Sequence, residues 1–502
     1  MNTTLPAGDL DRALALLAQD KPEEAVLLSA KVAQAPDATH QALAAHSQIL
    51  KVLHRHEEAL EFDRKAVDRF PRSGVAWHNL AATLGDMGRG EESRAAVERG
   101  MSIGLDGPQS WSVYARALMS VGEHDLAEKA YVEARRRAPA DVPLTAEYAN
   151  YVWMRRGDLS LALSAMDTAF HAGAPPGEPL QTKARLLEAA GMPEEATKLL
   201  MSAAAALPRD VTVQLMAAQA ALEQGLLADA ERLAKSAEVL EPRRPGVLNQ
   251  LAIVYLATGR PALALDKARR GLAIAPQDQS LLGWAATAAR MAGDPLYDAL
   301  YDYDQLVATH DIETPQGWPS LEAYLADLSA TLKRIHVYER HPATQSVRGG
   351  AQTMQNLAGS REPTIRAFFA AIDAPIRAHM AKIGQGDDPH RRRNTGQYRI
   401  EGAWSVLLKP GGFHKDHFHS QGWLSSAFYV ETPTTALDSE DRQGWLRFGQ
   451  PPIRTQPPLA ADHFVRPKPG RLALFPSYMW HGTVPFTTDE TRLTMAFDAL
   501  PV

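Results

Sequence analysis

Over about the first 300 residues, apolar positions recur at helical spacing in blocks, and the blocks themselves recur. The stretch "VLNQLAIVYLATGRPALALDKARRGLAIAPQ" carries apolar residues three and four apart on both sides of Gly259, which predicts two amphipathic helices joined by a tight turn. Glycine returns at Gly88, Gly122, Gly157, Gly191, Gly225, Gly259 and Gly293, at spacings of 34, 35, 34, 34, 34 and 34 residues. Alanine follows five positions later at Ala127, Ala162, Ala196, Ala230 and Ala264. Ala25 and Ala59 fit the same frame, with Asp20 and His54 in the glycine slot, while Ser93 and Asp298 stand where an alanine is expected. Pro71, Pro139, Pro208, Pro242 and Pro276 close units. Each residue type has a mechanical reason. Glycine turns where a side chain would be costly, alanine lets the second helix approach the first, and proline cannot continue a helix.

After about Tyr297 the period is lost. Helical patterns continue through "LEAYLADLSATLKRIH" and "TIRAFFAAIDAPIRAHMAKIG", and between them "HPATQSVRGGAQTMQNL" reads as a loop or short strand. From about Gly396 strand patterns dominate: "AWSVLLK", "WLSSAFYVE", "GWLRFG", "GRLALFP" and "RLTMAFDAL". Short strands divided by Gly and Pro predict a β-sandwich or jelly roll with helices packed outside. The expected architecture is multidomain α + β: an all-α repeat over residues 1–297 in about eight helix pairs, then a β domain with N-terminal helices over 298–502.

Composition narrows the function. Of 502 residues 45% are hydrophobic, enough for a sizeable core. A formal net charge of −6 gives no basic footprint for a nucleic-acid partner, and Arg391-Arg392-Arg393 reads as a solvated loop. With no cysteine, thiolate nucleophiles, disulfides and thiolate metal sites are excluded. The N-terminus lacks the pattern of a secretory signal, and no apolar run reaches the ~18–20 residues that span a bilayer. A soluble, cytoplasmic protein is expected.

The 34-residue period resembles the tetratricopeptide repeat (TPR) over roughly residues 8–297. The resemblance implies a right-handed superhelix whose concave groove holds a peptide or another protein. A structural spacer or a dimerisation arm is the plainer reading. Tyr148, Tyr151, Trp153 and Arg155 are candidates for such a groove, although aromatics at helical spacing more often pack.

The chemistry concentrates near the C-terminus. "GGFHKDHFHSQGW" holds His414, Asp416, His417 and His419, and His481 follows the strand that ends at Phe475-Pro476. Arg492 comes eleven residues after His481, and Thr494 two further on. Residues two apart share a strand face, so Arg492 and Thr494 can enter one pocket, where a guanidinium can grip a carboxylate and a hydroxyl can assist. A His-x-(acid or His) pair, a distal histidine and an Arg-x-Thr form an ordered set. It resembles the Fe(II)/2-oxoglutarate-dependent oxygenases, whose three protein ligands occupy one face of the metal. "QSVRGGAQT", "GGFHKDHFHSQGWLSSAFYV" and "GRLALFPSYMWHGTVPF" are similar to a bacterial and phage, prolyl-hydroxylase-like branch often fused to TPRs, over roughly residues 298–502.

The resemblance implies a double-stranded β-helix (jelly-roll, cupin-like) fold, Fe(II) and 2-oxoglutarate as cofactors with O2 as cosubstrate, and a basic residue, here Arg492 with Thr494, on the far carboxylate of 2-oxoglutarate. Two ligand registers fit. His414-x-Asp416 matches the usual His-x-Asp by composition. His417-x-His419 matches by position, six residues after the turn glycine Gly411 and just before "LSSAFYV". In an extended segment the two pairs face opposite ways, so the registers exclude each other. The reading favoured is His417, His419 and His481, with Asp416 as a possible partner orienting an imidazole. Trp404 and Tyr429 are expected as core or pocket-wall aromatics, Arg348 and Gln352 at a substrate entrance, and Trp480 as a shield beside the metal. The implied activity is a dioxygenase that hydroxylates a protein or peptide side chain recruited by the repeat groove. The alternatives are an oxygenase on a small molecule, with repeats used for assembly, and a non-catalytic repeat scaffold with a degenerate β domain.

Overall fold

A computed structural model of the chain describes residues 7–502 apart from 20, 54, 339, 435 and 436. Asp20 and His54, expected in the glycine slot, lie outside the described residues. The first sixteen helices, from Ala7–Ala18 to Pro261–Ile274, form eight consecutive pairs of 12–15 residues per helix. A further helix, Gln279–Ala292, is followed only by the five-residue Leu296–Leu300. The array is of tetratricopeptide type, as its period predicts.

The sequence devices act as their chemistry requires. The seven periodic glycines all adopt positive φ, between 64° and 83°, a region that costs a Cβ-bearing residue energy. Ala25, Ala59, Ala127, Ala162, Ala196, Ala230 and Ala264 are all buried where paired helices meet. Ser93 fits the same slot because its hydroxyl donates to Ala81 O at 2.7 Å. Tyr148, Tyr151 and Trp153 are buried, so they pack rather than line an open surface.

Contacts divide the chain into two compact units, Met1–Tyr148 with Ala358–Arg361, and Ala149–Leu357 with Glu362–Val502. The first has its own apolar core, including Leu43, Leu50, Leu60, Leu80 and Val97. In the second, one continuous core runs from repeat residues such as Ala184 and Leu251 to strand residues such as Phe428 and Ala499. Apart from Asn249 and Gln250 the helix Pro245–Ala257 is apolar, with every residue from Leu251 to Ala257 buried. Backbone contact follows the same line: Gln456 N donates to Leu256 O at 3.1 Å.

Nine strands occur among the described residues: β1 (Ala308–Asp311), β2 (Val347–Gln352), β3 (Tyr398–His414), β4 (Leu424–Glu431), β5 (Leu446–Phe448), β6 (His463–Val465), β7 (Arg471–Pro476), β8 (His481–Thr483) and β9 (Arg492–Pro501). They form two antiparallel sheets, one in the order β1-β7-β4-β9-β3-β2 and one in the order β6-β5-β8. The expected helices are Leu321–Ile335 and Pro363–Ile383, and Phe368 of the latter packs on Phe428 of β4. The three-residue strands β6 and β8 are too short to leave an alternating pattern in the sequence.

Substituting Ala230, which is fully buried, with leucine should destabilise the second unit by about 1–3 kcal/mol through overpacking. Ala205→Leu, on an exposed position of the helix Pro193–Ala206, should change stability by less than about 0.5 kcal/mol. Denaturant melts of the two variants against the parent chain measure the difference.

Candidate metal centre

The centre forms where two backbone segments meet. His417 N donates to His481 O and His481 N donates to His417 O, both at 2.9 Å, an isolated antiparallel bridge. The imidazoles of His417 and His481 thereby sit with ring centroids 4.2 Å apart. His419 joins them because its N–H donates to Ser477 O at 2.9 Å, placing its ring 5.0 Å from that of His481 and 5.1 Å from that of His417. One nitrogen from each of the three rings lies within 4.8 Å of the others.

Each ring also has a hydrogen-bond acceptor on its Nδ1. His417 Nδ1 donates to Lys415 O at 2.8 Å, His481 Nδ1 to Met479 O at 2.9 Å, and His419 Nδ1 to Asp498 Oδ1 at 2.6 Å. These acceptors place a proton on each Nδ1 and turn the Nε2 edges together, with Nε2 of His417 and His419 3.2 Å apart. Burial, reinforced by the neighbouring His419, holds the pKa of His417 down at about 3. Burial and the adjacent His417 and His419 hold His481 well below its ordinary value. Neutral imidazole is the form a divalent metal takes. The donor set therefore fits a first-row metal such as iron. Asp498 also accepts from Ser425 Oγ at 2.6 Å, so a carboxylate stands one hydrogen bond behind His419. It restores part of the negative charge that a ligating carboxylate would have supplied.

The alternative register is not assembled. Asp416 is clamped by Arg447 of β5 in a two-point ion pair, with Nε to Oδ1 at 2.8 Å and Nη2 to Oδ2 at 2.7 Å. It orients no imidazole; Asp498 has that place. The parity argument fails for a structural reason. β3 ends at His414, the chain breaks its extended course at Lys415 and Asp416, and His414 lines the same cavity as His417 and His419. The rings of His414 and His417 lie nearly parallel, 5.8 Å apart.

The cavity continues to Arg492 and Thr494 at the start of β9. Arg492 is only 2% exposed. Its Nη1 donates to Thr483 Oγ1 at 3.0 Å, its guanidinium lies over the Tyr429 ring at 5.1 Å, and its buried Nε has no hydrogen-bond partner. Among the described residues no carboxylate pairs with it. Burial accordingly pushes its pKa down, with Tyr429 opposing. A buried cation with a free donor is costly unless an anion completes it.

The surrounding expectations resolve individually. Trp404 is a wall of the cavity, 5.6 Å from the ring of His419, and Gln352 also lines it. The Arg348 guanidinium bonds back to Gln345 O and Val347 O. Trp480 anchors rather than shields: its Nε1 donates to Thr287 Oγ1 at 2.9 Å and approaches Gly283 O at 3.1 Å, on the helix Gln279–Ala292. Sequence reasoning missed Asp498, Ser425, Ser346, Thr483 and Arg447. Of these, Asp498 was accessible, because the alternation that puts Arg492 and Thr494 on one face of β9 also puts position 498 there.

Residues 402–498, which hold His417, His419, His481, Arg492, Thr494 and Asp498, match the family described as "Putative 2OG-Fe(II) oxygenase". Among solved structures, the chain is similar to the APC/C hetero-tetramer Cut9-Hcn1, at 17% identity over 56% of this chain and 55% of that one, with a TM-score of 0.32. It is also similar to the C-terminal part of a TPR repeat-containing protein from Cytophaga hutchinsonii, at 14% identity over 48% of this chain and 98% of that one, with a TM-score of 0.33. A third is MamA from Desulfovibrio magneticus, at 14% identity over 32% of this chain and 92% of that one, with a TM-score of 0.29. No curated protein matches the chain. The chain thus joins tetratricopeptide-type repeats to a domain matched by a 2-oxoglutarate- and Fe(II)-dependent oxygenase family.

Asp498→Asn should weaken binding of Mn(II) or Co(II) by about 10–100-fold, because the His419 ring loses its anionic partner. Asp416→Asn should leave metal affinity within a few fold of the parent, roughly the scatter of a distant substitution, and cost stability instead. Metal titration by calorimetry, beside a thermal melt, separates the two effects.

Proposed function

We propose that the protein is an Fe(II)- and 2-oxoglutarate-dependent dioxygenase that hydroxylates a protein or peptide side chain. The single observation that carries the reading is Arg492: a buried guanidinium with an unpartnered Nε, lining the cavity that the three imidazoles share. A dicarboxylate that ligates a metal at one end and needs a cation at the other meets both requirements.

In this reading His417, His419 and His481 hold the metal through Nε2. Bound there, Fe(II) with 2-oxoglutarate and O2 supplies the oxidising chemistry, in which 2-oxoglutarate is decarboxylated to succinate and a C–H bond is hydroxylated. The chain supplies the rest. Arg492 grips the far carboxylate of 2-oxoglutarate, with Thr483 and Thr494 beside it. Tyr429 packs against the guanidinium and keeps water from it. Asp498, Lys415 O and Met479 O hold the imidazoles in the ligating tautomer. The double-stranded β-helix is the fold this reading expects for the two sheets. No helix among the described residues is long and apolar enough to cross a membrane, and a cytoplasmic setting with Fe(II) and 2-oxoglutarate at hand belongs to the same proposal.

The repeat array would bring the substrate chain to the site and raise its local concentration. A small-molecule substrate is the second reading. It draws support from the helix Pro245–Ala257, whose residues Leu251 to Ala257 are all buried within the second unit and so are closed to a peptide.

Anaerobic protein given Fe(II) and 2-oxoglutarate should develop a weak visible absorption band, and admitting O2 should yield succinate. A chelator should abolish both. Arg492→Gln should raise the 2-oxoglutarate KM by about a hundredfold, the loss of a buried charge-assisted contact, with metal binding retained. Absence of the band and of succinate would leave a repeat scaffold without catalysis. A mass increase of one oxygen on a co-purifying protein, present with the parent chain and absent with His481→Ala, would separate a protein substrate from a small one.

A further inference from the structure

Ser346 lines the cavity of the imidazole cluster. Its place is set by the sheet: Lys415 N donates to Ser346 O at 3.0 Å, and the next residue, Val347, pairs with His414 in the β2–β3 ladder. The stretch leading to it is held by the repeat helix Val142–Arg156, where Trp153 Nε1 donates to His341 O at 3.1 Å.

The Ser346 hydroxyl contacts two imidazoles at once, His417 Nε2 at 3.2 Å and His414 Nδ1 at 3.2 Å. His417 Nε2 also faces His419 Nε2 at 3.2 Å, and with the lone pair on His417 Nε2 the proton accounting at Ser346 runs one way. His417 Nδ1 already donates to Lys415 O, so the neutral ring has only a lone pair at Nε2, and Ser346 O–H donates to it. Ser346 Oγ then accepts, and His414 Nδ1–H is the donor. The hydroxyl proton is therefore aimed at the very nitrogen that the proposed metal would take. Once that lone pair is committed, the O–H needs another acceptor within the same reach, while His414 continues to hold the oxygen from behind. His414 lines the same cavity as Arg492.

We infer that Ser346, held by His414, donates a hydrogen bond to the metal-bound carboxylate end of the keto-acid cosubstrate. Arg492 and Ser346 then grip opposite ends of one dicarboxylate, and His414 is a positioning residue acting through Ser346. The inference rests on the reading of His417, His419 and His481 as a metal site.

The test uses the full chain loaded with Mn(II) in the absence of O2, so that no turnover intervenes, and calorimetric titration with 2-oxoglutarate. Ser346→Ala should bind 2-oxoglutarate about tenfold more weakly, the effect of one lost charge-assisted hydrogen bond. Its Mn(II) affinity should stay within about twofold of the parent. Ser346→Thr, which keeps the hydroxyl, should recover most of the loss. His414→Phe should lose no more than Ser346→Ala, and the double variant should lose nothing further, because the two residues act as a unit. The milder His414→Gln stands in if the phenylalanine variant does not fold. Unchanged 2-oxoglutarate affinity in Ser346→Ala overturns the inference while leaving the oxygenase reading intact. A fall in Mn(II) affinity that accounts for the whole loss also overturns it, since Ser346 would then only support His417. A parent chain that takes Mn(II) and ignores 2-oxoglutarate refutes the oxygenase reading, and this inference with it.

Discussion

Two backbone hydrogen bonds between His417 and His481 decide the chemistry of this protein. They join the turn after β3 to the start of β8, strands that belong to different sheets. A side chain can hop between rotamers, but a backbone pair held at both ends cannot drift without losing both bonds. Two imidazoles are thus brought side by side by main-chain geometry, and only the third, on His419, needs a separate tether. The cost of crowding these rings is met by burial, which keeps His417 and His481 from taking up protons. Acceptors on all three Nδ1 atoms leave the Nε2 edges grouped together.

Much of this was legible in the sequence, for reasons that differ by element. The helical repeats announced themselves because one device, a positive-φ glycine followed by a close-packed alanine, recurs with nearly constant period. Arg492 and Thr494 were legible because strand alternation is a rigid rule. The same rule carried to Asp498 would have found the anion behind His419. It misled at His414, where the strand stops and the next two residues swing Asp416 toward Arg447 instead of continuing the alternation. Ser346 and Arg447 were not legible at all. Ser346 comes from the residue before β2 and Arg447 from the middle of β5, both remote in sequence from their partners, and nothing local marks a serine or an arginine for such a contact.

The helix Pro245–Ala257 offers a related lesson. Beyond Asn249 and Gln250 its sequence offers little polar surface, which for a helix at the surface of an array would be a defect. Leu248, Ile253 and Tyr255 are buried together with the residues that face its own repeat. A largely apolar helix within an otherwise amphipathic series is thus a local sign that something further covers it. Here the core of the second unit runs without interruption from the repeats into the sheets.

Trp480 gives that continuity a consequence for inheritance. The residue next to a candidate metal ligand is fastened by its indole to Thr287, and its backbone N–H to the hydroxyl of Tyr301. A gene fragment encoding only the sheets would leave that indole facing water with its donor orphaned and an apolar flank bare. The catalyst-like half of the polypeptide is therefore poorly suited to being shuffled among genomes as a free cassette. Its descendants should carry their last few repeats with them.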